Sequence, residues 1–251
     1  MSSTLPWLEP QDPFPPPHHA WGRDAPAPGL LAAGGVLDVA HLLSAYRQGT
    51  FPWFSAGQPV LWWSPDPRMV LQPGTFRLHH SLRKTLQKFR ANPRCEIRID
   101  HGFGAVMHAC ANAVRHNQHG TWILPEMVAA YEAFHAAGHA HSVETWIDDK
   151  LAGGLYCVSL GHAVFGESMF AHTTDASKIA LAALVCLCRR GGVALIDCQQ
   201  NTPHLASLGA HEIARAQFLQ HLQQAHTQPS IDWSFDSLLW NELVPSAALT
   251  P

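Results

Sequence analysis

The sequence predicts an α+β fold, with a mixed sheet packed by helices and a smaller unit in front of it. Three observations point there. Apolar residues alternate in three successive stretches, 141–146, 152–159 and 162–170, joined by tight turns at Asp148-Asp149-Lys150 and at Gly161. Helical spacing then runs from Thr174–Asp175 to Arg190, where Gly191-Gly192 ends it. A short, wholly apolar run follows at 193–196, the pattern of a buried strand.

Taken in order, residues 1–28 carry Pro6, Pro10, Pro13, Pro15, Pro16, Pro17, Pro26 and Pro28. Proline removes a backbone donor and fixes φ, so this stretch is expected as an irregular arm on the surface. From Leu37 to Gln48, Val39, Leu42, Leu43 and Tyr46 recur at helical intervals, with Gly34-Gly35 before and Gly49 after. A small N-terminal unit, residues 1–65, is expected to end at the Pro65-Asp66-Pro67 turn, leaving residues 66–251 as the larger domain. There, Ser81–Phe89 reads as a helix with Leu82, Leu86 and Phe89 on one face. Residues 101–113 and 125–137 read as two more, the second opened by Pro125 and closed by Gly138. Thr174 or Asp175 is placed to cap the helix that ends at Arg190. The resulting order (strand, strand, strand, helix, strand, helix) resembles the core of the acetyltransferase-like (GNAT) fold, while periodicity alone leaves other α+β folds open.

Composition narrows the function classes. At 251 residues, 47% hydrophobic and 14% charged, the chain is globular and large enough for one core with a satellite. The longest apolar run, Ile179–Cys188, is well short of the roughly 18–20 residues of a membrane helix. No basic start leads into an apolar stretch, so a cytosolic protein is expected. The six cysteines show no C-x-x-C pair and fit reduced thiols. His79-His80, His116, His119 and His139-x-His141 lack ligand spacings with cysteine or carboxylate, so no metal is expected. Without a P-loop, a G-x-G-x-x-G or a G-x-S-x-G, nucleotide hydrolysis and serine-esterase chemistry have no support, and no cofactor is expected.

Several residues are candidates for chemistry. Asp197 and Gln199 follow the buried strand, where alternation puts them on one face and Cys198 on the other. An acid and an amide there suit proton handling and oxyanion support, or else a turn role at the strand end. Glu167 interrupts an apolar strand and shares a face with Phe165 and Met169. It needs either an internal partner such as Arg189 or Lys178, or a ligand bearing a cation. The aromatic clusters Phe51-Pro52-Trp53-Phe54 and Trp62-Trp63, with Trp122 and Tyr131, serve a core or stack on bases. From Pro67 to Cys95 there are seven basic residues (Arg68, Arg77, Arg83, Lys84, Lys88, Arg90, Arg94) and no acidic one. Such imbalance points to phosphate despite the net charge of −3.

A series of blocks resembles the leucyl/phenylalanyl-tRNA–protein transferase family. In order they are YRQGTFPWF (Tyr46–Phe54), LWWSPDPR (Leu61–Arg68), Thr121–Ile123 with Tyr131, GHAHSVE (Gly138–Glu144) and GGLY (Gly153–Tyr156). GESMF (Gly166–Phe170), Ala176–Ala180, LIDCQ (Leu195–Gln199) and HLASLGA (His204–Ala210) complete the series over residues 29–220. The resemblance implies a GNAT-like catalytic domain in which aminoacyl-tRNA replaces acyl-CoA. In agreement, Ala171-His172-Thr173-Thr174-Asp175 lacks the glycines that would hold a pyrophosphate. It further implies that Trp53 and Trp122, with Tyr131 nearby, grip the terminal adenosine, and that Leu155, Met169, Leu184 and Ile196 line the donor side-chain pocket. Glu167 would face the acceptor, Asp197 and Gln199 would serve the reaction centre, and Arg77, Arg83, Lys84, Lys88 and Arg90 would hold the tRNA. The implied partners are leucyl- or phenylalanyl-tRNA and proteins beginning with arginine or lysine. Another tRNA-dependent transferase of the same fold, or a non-catalytic tRNA-binding protein, is the competing reading.

Overall fold

The computed structural model describes residues 4–113 and 123–244. The first elements are strand β1 (Trp7–Leu8), β2 (Leu30–Gly34), helix α1 (Val39–Arg47), β3 (Phe51–Pro52) and β4 (Leu61–Trp63). The strands form a four-stranded sheet in the order β1-β2-β4-β3. α1 begins where Asp38 accepts the His41 N–H, 2.7 Å, as an N-cap.

The proline-rich arm is less irregular than its composition suggests. Proline lacks a donor but keeps its carbonyl, and the Pro6 carbonyl accepts the Ala33 N–H at 2.9 Å. β1 thereby pairs parallel with β2. Further along, Phe14 is buried edge-on against Trp62, with centroids 4.7 Å apart. The arm therefore seals one side of this sheet.

The remaining elements are β5 (Arg68–Leu71), α2 (His80–Ala91), β6 (Cys95–Ile99), α3 (Phe103–Ala111), α4 (Pro125–Ala136), β7 (Ala140–Ile147), β8 (Lys150–Leu160) and β9 (Ala163–Ala171). After them come α5 (Ala176–Arg190), β10 (Ile196–Gln199), α6 (Pro203–Ser207), β11 (His211–Ile213) and α7 (Arg215–Ala225). Their strands form a seven-stranded sheet in the order β11-β5-β10-β9-β8-β7-β6. Only β9 and β10 run parallel; the other neighbours are antiparallel. The β7–β8 turn has Asp148 and Asp149 at φ 51° and 58°, as a two-residue hairpin requires. At Gly161, a Cβ would come within 2.4 Å of the Gln228 carbonyl, so only glycine fits that turn.

Two expectations are corrected here. Asp175 stands at the N-cap of α5 and its carbonyl accepts the Ile179 N–H at 2.9 Å, but its side chain makes no capping hydrogen bond. Asp175 adopts φ 64° and its side chain pairs with Lys178 at 2.7 Å and accepts from Thr85 at 3.4 Å. The strand expected at 193–196 lies at Ile196–Gln199, because the Val193 N–H is used to close the exit of α5 on the Cys188 carbonyl, 2.8 Å. Asp197 and Gln199 consequently lie within the strand rather than after it.

Two cores flank the larger sheet. Tyr156, Val158 and Phe165 face Phe103 of α3, Phe134 of α4 and Phe218 of α7, and this core continues into Tyr46, Phe51 and Trp62 of the first unit. Val143, Leu155 and Cys157 face α5 and Leu82, Leu86 and Phe89 of α2. Both faces are closed. All six cysteines are free, and no helix among the described residues is long and apolar enough to cross a membrane. Phe14→Ala is expected to lower the unfolding free energy by about 3 kcal/mol, the usual loss for a buried ring, read as an earlier midpoint in urea; an unchanged midpoint would mean that the arm contributes nothing.

Candidate active site

β9 and β10 pair at Val164 with Ile196 and at Phe165 with Asp197, and the ladder ends there. Past that point a cavity of about 360 Å³ opens between the two strands, lined by Gly166, Glu167, Ser168 and Met169 on one side and Ile196, Cys198 and Gln199 on the other. Phe51, Pro52 and Trp53 reach it from the N-terminal unit, Leu181 and Leu184 from α5, and His204 and Leu205 from α6. A crevice where parallel strands part is where ligands bind in sheets of this kind.

Glu167 is the carboxyl of the cavity wall; His204 of α6 is a second ionisable lining residue, its ring pushed below its ordinary range by burial and the Lys178 charge. The Glu167 Oε1 accepts from the Tyr46 hydroxyl at 2.7 Å and from Gln199 Nε2 at 2.9 Å. Neither Arg189 nor Lys178 pairs with it: Arg189 donates to the Pro73 carbonyl, 2.8 Å, and Lys178 to Asp175. Among the described residues no cation forms an ion pair with Glu167. Burial pushes its carboxyl up to about 7; the Tyr46 and Gln199 hydrogen bonds oppose this, the Asp197 charge adds to it, and the Arg68 charge lowers it. The Tyr46 hydroxyl also hydrogen-bonds that of Tyr131, and burial raises both phenols well above their ordinary range. Both stay protonated, Tyr131 donating to the Tyr46 oxygen and Tyr46 donating to Glu167.

Asp197 is not where alternation puts it. The ladder between β10 and β5 shifts register between Asp197 and Gln199, and Gln199 takes φ 62°. Gln199 thereby turns into the cavity, whereas Asp197, 1% exposed, is not among the lining residues. Both Asp197 oxygens are held by Arg68, from Nε at 2.8 Å and Nη2 at 2.6 Å. Asp197 Oδ1 also accepts the Gln199 backbone N–H at 2.9 Å. Arg68 is fully buried, its guanidinium 5.0 Å from the Phe51 ring centroid and 4.6 Å from that of Phe218. It therefore does not belong to the basic surface in which its sequence neighbours place it.

That surface is α2 and the segment before it. Arg77, Arg83, Lys84, Lys88 and Arg90 are all exposed, Arg90 donating to the Val244 carbonyl at 3.3 Å. Arg94 leaves the group by pairing with Asp148 at 2.9 Å. The Arg77 N–H donates to the Leu208 carbonyl at 2.8 Å, and the His79 ring to the Ser207 carbonyl at 2.7 Å. These contacts tie α6, which lines the cavity, to the start of the ridge. Among the described residues no group of three His, Cys, Asp or Glu could hold a metal.

The family model described as leucyl/phenylalanyl-tRNA protein transferase matches residues 70–223, and that for its N-terminal domain matches residues 35–66. The chain belongs to that family. A leucyl/phenylalanyl-tRNA–protein transferase of Polaromonas sp. JS666 is 60% identical over 240 residues, covering 96% of this chain and 94% of the relative. Proteins of the same name are 58% identical in Albidiferax ferrireducens, covering 98% and 97%, and 56% identical in Paraburkholderia xenovorans, covering 97% and 100%. Among solved structures, a conserved protein of unknown function from Bacteroides thetaiotaomicron superposes with a TM-score of 0.40 at 14% identity, covering 66% of this chain and 57% of that one, too low to establish a shared fold.

The positions singled out by resemblance to the family divide on inspection. Leu155, Met169, Leu184 and Ile196 line the cavity together, and so does Trp53, whose carbonyl accepts the Trp63 indole N–H at 2.6 Å. Tyr131 is fully buried and does not line the cavity; its hydroxyl bonds that of Tyr46, and its ring lies edge-on to the lining residue Tyr156 at 5.5 Å. Trp122 lies outside the described residues. Sequence reasoning passed over Tyr46, read as one more apolar position of α1, although its hydroxyl-bearing ring stands within the YRQGTFPWF block. It also left His204 and Leu181 without a role at the cavity, and for Leu181 nothing but its place on α5 signals one.

A buried carboxyl without a cation destabilises the protein that holds it. With Glu167 raised from 4.5 to about 7, the folded state binds the extra proton between those values, so stability declines as pH rises through that window and the whole penalty is present above it. Glu167→Gln keeps both hydrogen bonds without the charge. It is expected to be more stable than the parent at pH 8 by on the order of 3 kcal/mol, and equal to it near pH 4.5, by chemical denaturation at the two pH values. Equal stability at both would show that the carboxylate is solvated.

Proposed function

We propose that the chain transfers leucine or phenylalanine, and methionine more weakly, from aminoacyl-tRNA to the α-amino group of proteins that begin with arginine or lysine, marking them for N-end-rule degradation in the cytoplasm. The observation that carries this reading is Glu167, a part-buried carboxyl with no ion-pair partner among the described residues, in a mostly apolar cavity. Such a site suits two ligands at once: an apolar side chain among Leu155, Met169, Leu184 and Ile196, and a cation at Glu167. On this reading residues 66–251 form a GNAT-like transferase domain and residues 1–65 a small unit that supplies Tyr46, Phe51 and Trp53 to the cavity. Trp53 and Trp122 stack on the terminal adenosine, with Tyr131 supporting Tyr46. The exposed Arg77, Arg83, Lys84, Lys88 and Arg90 follow the acceptor-stem phosphates, contacts that position RNA without reading its sequence.

The chemistry asks little of the protein. The donor is an ester, and the acceptor amine, with an ordinary pKa of about 7.7–8.0, is partly neutral near pH 7. The amine attacks the ester carbonyl, the bond to the ribose oxygen breaks, and a proton passes from nitrogen to that leaving oxygen. Holding amine and carbonyl in attack geometry draws on the roughly 7–11 kcal/mol available from proximity. Gln199 keeps a carboxamide oxygen that can accept an amine N–H, orienting the lone pair. Asp197, enclosed by Arg68 and the Gln199 backbone, supports Gln199 instead of taking the proton itself.

The test incubates the protein with labelled leucyl-tRNA and peptides beginning with arginine, with its uncharged isostere citrulline, or with alanine. Label is expected on the arginine peptide and not on the alanine peptide. The preference for arginine over citrulline is expected to grow about tenfold between pH 6 and pH 8 as Glu167 ionises, and to vanish in Glu167→Gln. Binding of charged RNA without transfer would favour a non-catalytic role; transfer to other amines would favour a different transferase of the same fold.

A further inference from the structure

Arg68 and Asp197 bury a full positive and a full negative charge beside the cavity but outside its lining. Stability alone is a weak reason for such a pair, since apolar residues of similar volume commonly replace buried ion pairs without loss. The geometry gives a better one. Asp197 Oδ1 holds the Gln199 N–H at 2.9 Å, and Gln199 sits at φ 62°, a conformation that costs a residue with a side chain about 1–2 kcal/mol. The same conformation breaks the register of β10 against β5 and carries the Gln199 carboxamide to within 2.9 Å of Glu167. One hydrogen-bonded line therefore runs from Arg68 on β5, through Asp197 and Gln199 on β10, to Glu167 on β9.

We propose that Arg68 is a positioning residue for the transfer step: by fixing both oxygens of Asp197 it locks Gln199 in its left-handed conformation, and so places the Gln199 carboxamide at the reacting amine. Only a guanidinium does this. Its planar fork matches the two carboxylate oxygens while its faces lie against the Phe51 and Phe218 rings, an arrangement that an ammonium cannot reproduce. The pair also presents Glu167 with two charges of opposite effect, Asp197 raising and Arg68 lowering its proton affinity. The proposal rests on the reading of the cavity given above.

The experiment is a double-mutant cycle between Arg68→Lys and Gln199→Ala, read as the single-turnover rate of leucyl transfer to an arginine peptide, with the Kd for charged tRNA and the melting temperature measured alongside. Arg68→Lys is expected to slow transfer on the order of 100-fold, the effect of a small misplacement at a reacting group, with Kd for charged tRNA changed less than about twofold. In the Gln199→Ala background, Arg68→Lys is expected to cost less than about twofold more, because both changes act on one group. Multiplying losses would overturn the proposal, since a general loss of stability or an independent role acts equally in both backgrounds. If Arg68→Lys melts too low to assay, Arg68→Met with Asp197→Leu takes its place, keeping packing without charge; a parental rate in that variant would also overturn it. Absence of transfer by the parent protein would instead remove the reading of the cavity, and is seen separately.

Discussion

The structure is organised around a part-buried carboxylate left without an ion-pair partner among the described residues. Glu167 lies on the part of β9 that has run past its pairing with β10, so one side of the strand faces a hollow instead of a neighbour. Its remaining hydrogen bonds come from neutral groups, the Tyr46 hydroxyl and the Gln199 amide. Neutral donors ease the burial of a charge without cancelling it. The site thus suits a cation, and most of the surrounding wall is apolar.

Meeting it requires the N-terminal unit and the larger sheet to be one packed body. Tyr46 leaves α1 to reach Glu167, its ring stacking with Phe134 of α4 at 6.0 Å and lying edge-on to Phe165 of β9 at 5.0 Å. Gly49 fixes the same corner: a Cβ there would come 2.7 Å from Leu219 of α7. The following strand, β3, then lays Phe51 over the Arg68 guanidinium. A short stretch of chain, from Tyr46 to Trp53, therefore supplies a donor to Glu167, a cover for the buried ion pair and an aromatic wall for the cavity.

Much of this was legible in the residues. The alternating stretches became β7, β8 and β9, and the glycine pair after Arg190 ended α5. The reach of the sheet was not legible: β5, β6 and β11 are short and bear no period strong enough to separate them from loops. At the site, Glu167 stood out because a charge in an apolar strand always needs an explanation. Asp197 misled because period-two reasoning assumes an unbroken strand, and a single φ of 62° at Gln199 breaks it. Arg68 misled for a related reason. Read along the chain it is the first of a basic run, yet its position on a central strand turns it inward, where only a carboxylate from a residue 129 positions away reveals its role.

The two charged features of the molecule act over different distances, and this separates the two ligands proposed for it. The ridge of α2 is exposed, so its field reaches across solvent to a polyanion but is screened beyond about 8–10 Å. Glu167 is a single carboxyl set in the cavity wall, with its proton affinity raised to about 7, so it carries only part of a charge at neutral pH. On the proposed reading it acts on a cation inside the cavity, where a lower dielectric strengthens the pairing. The ridge, on the same reading, holds the donor RNA, α6 links the ridge to the cavity, and Glu167 sorts acceptors. Two groups of opposite sign then work side by side because one is exposed and the other sits part-buried in the cavity wall.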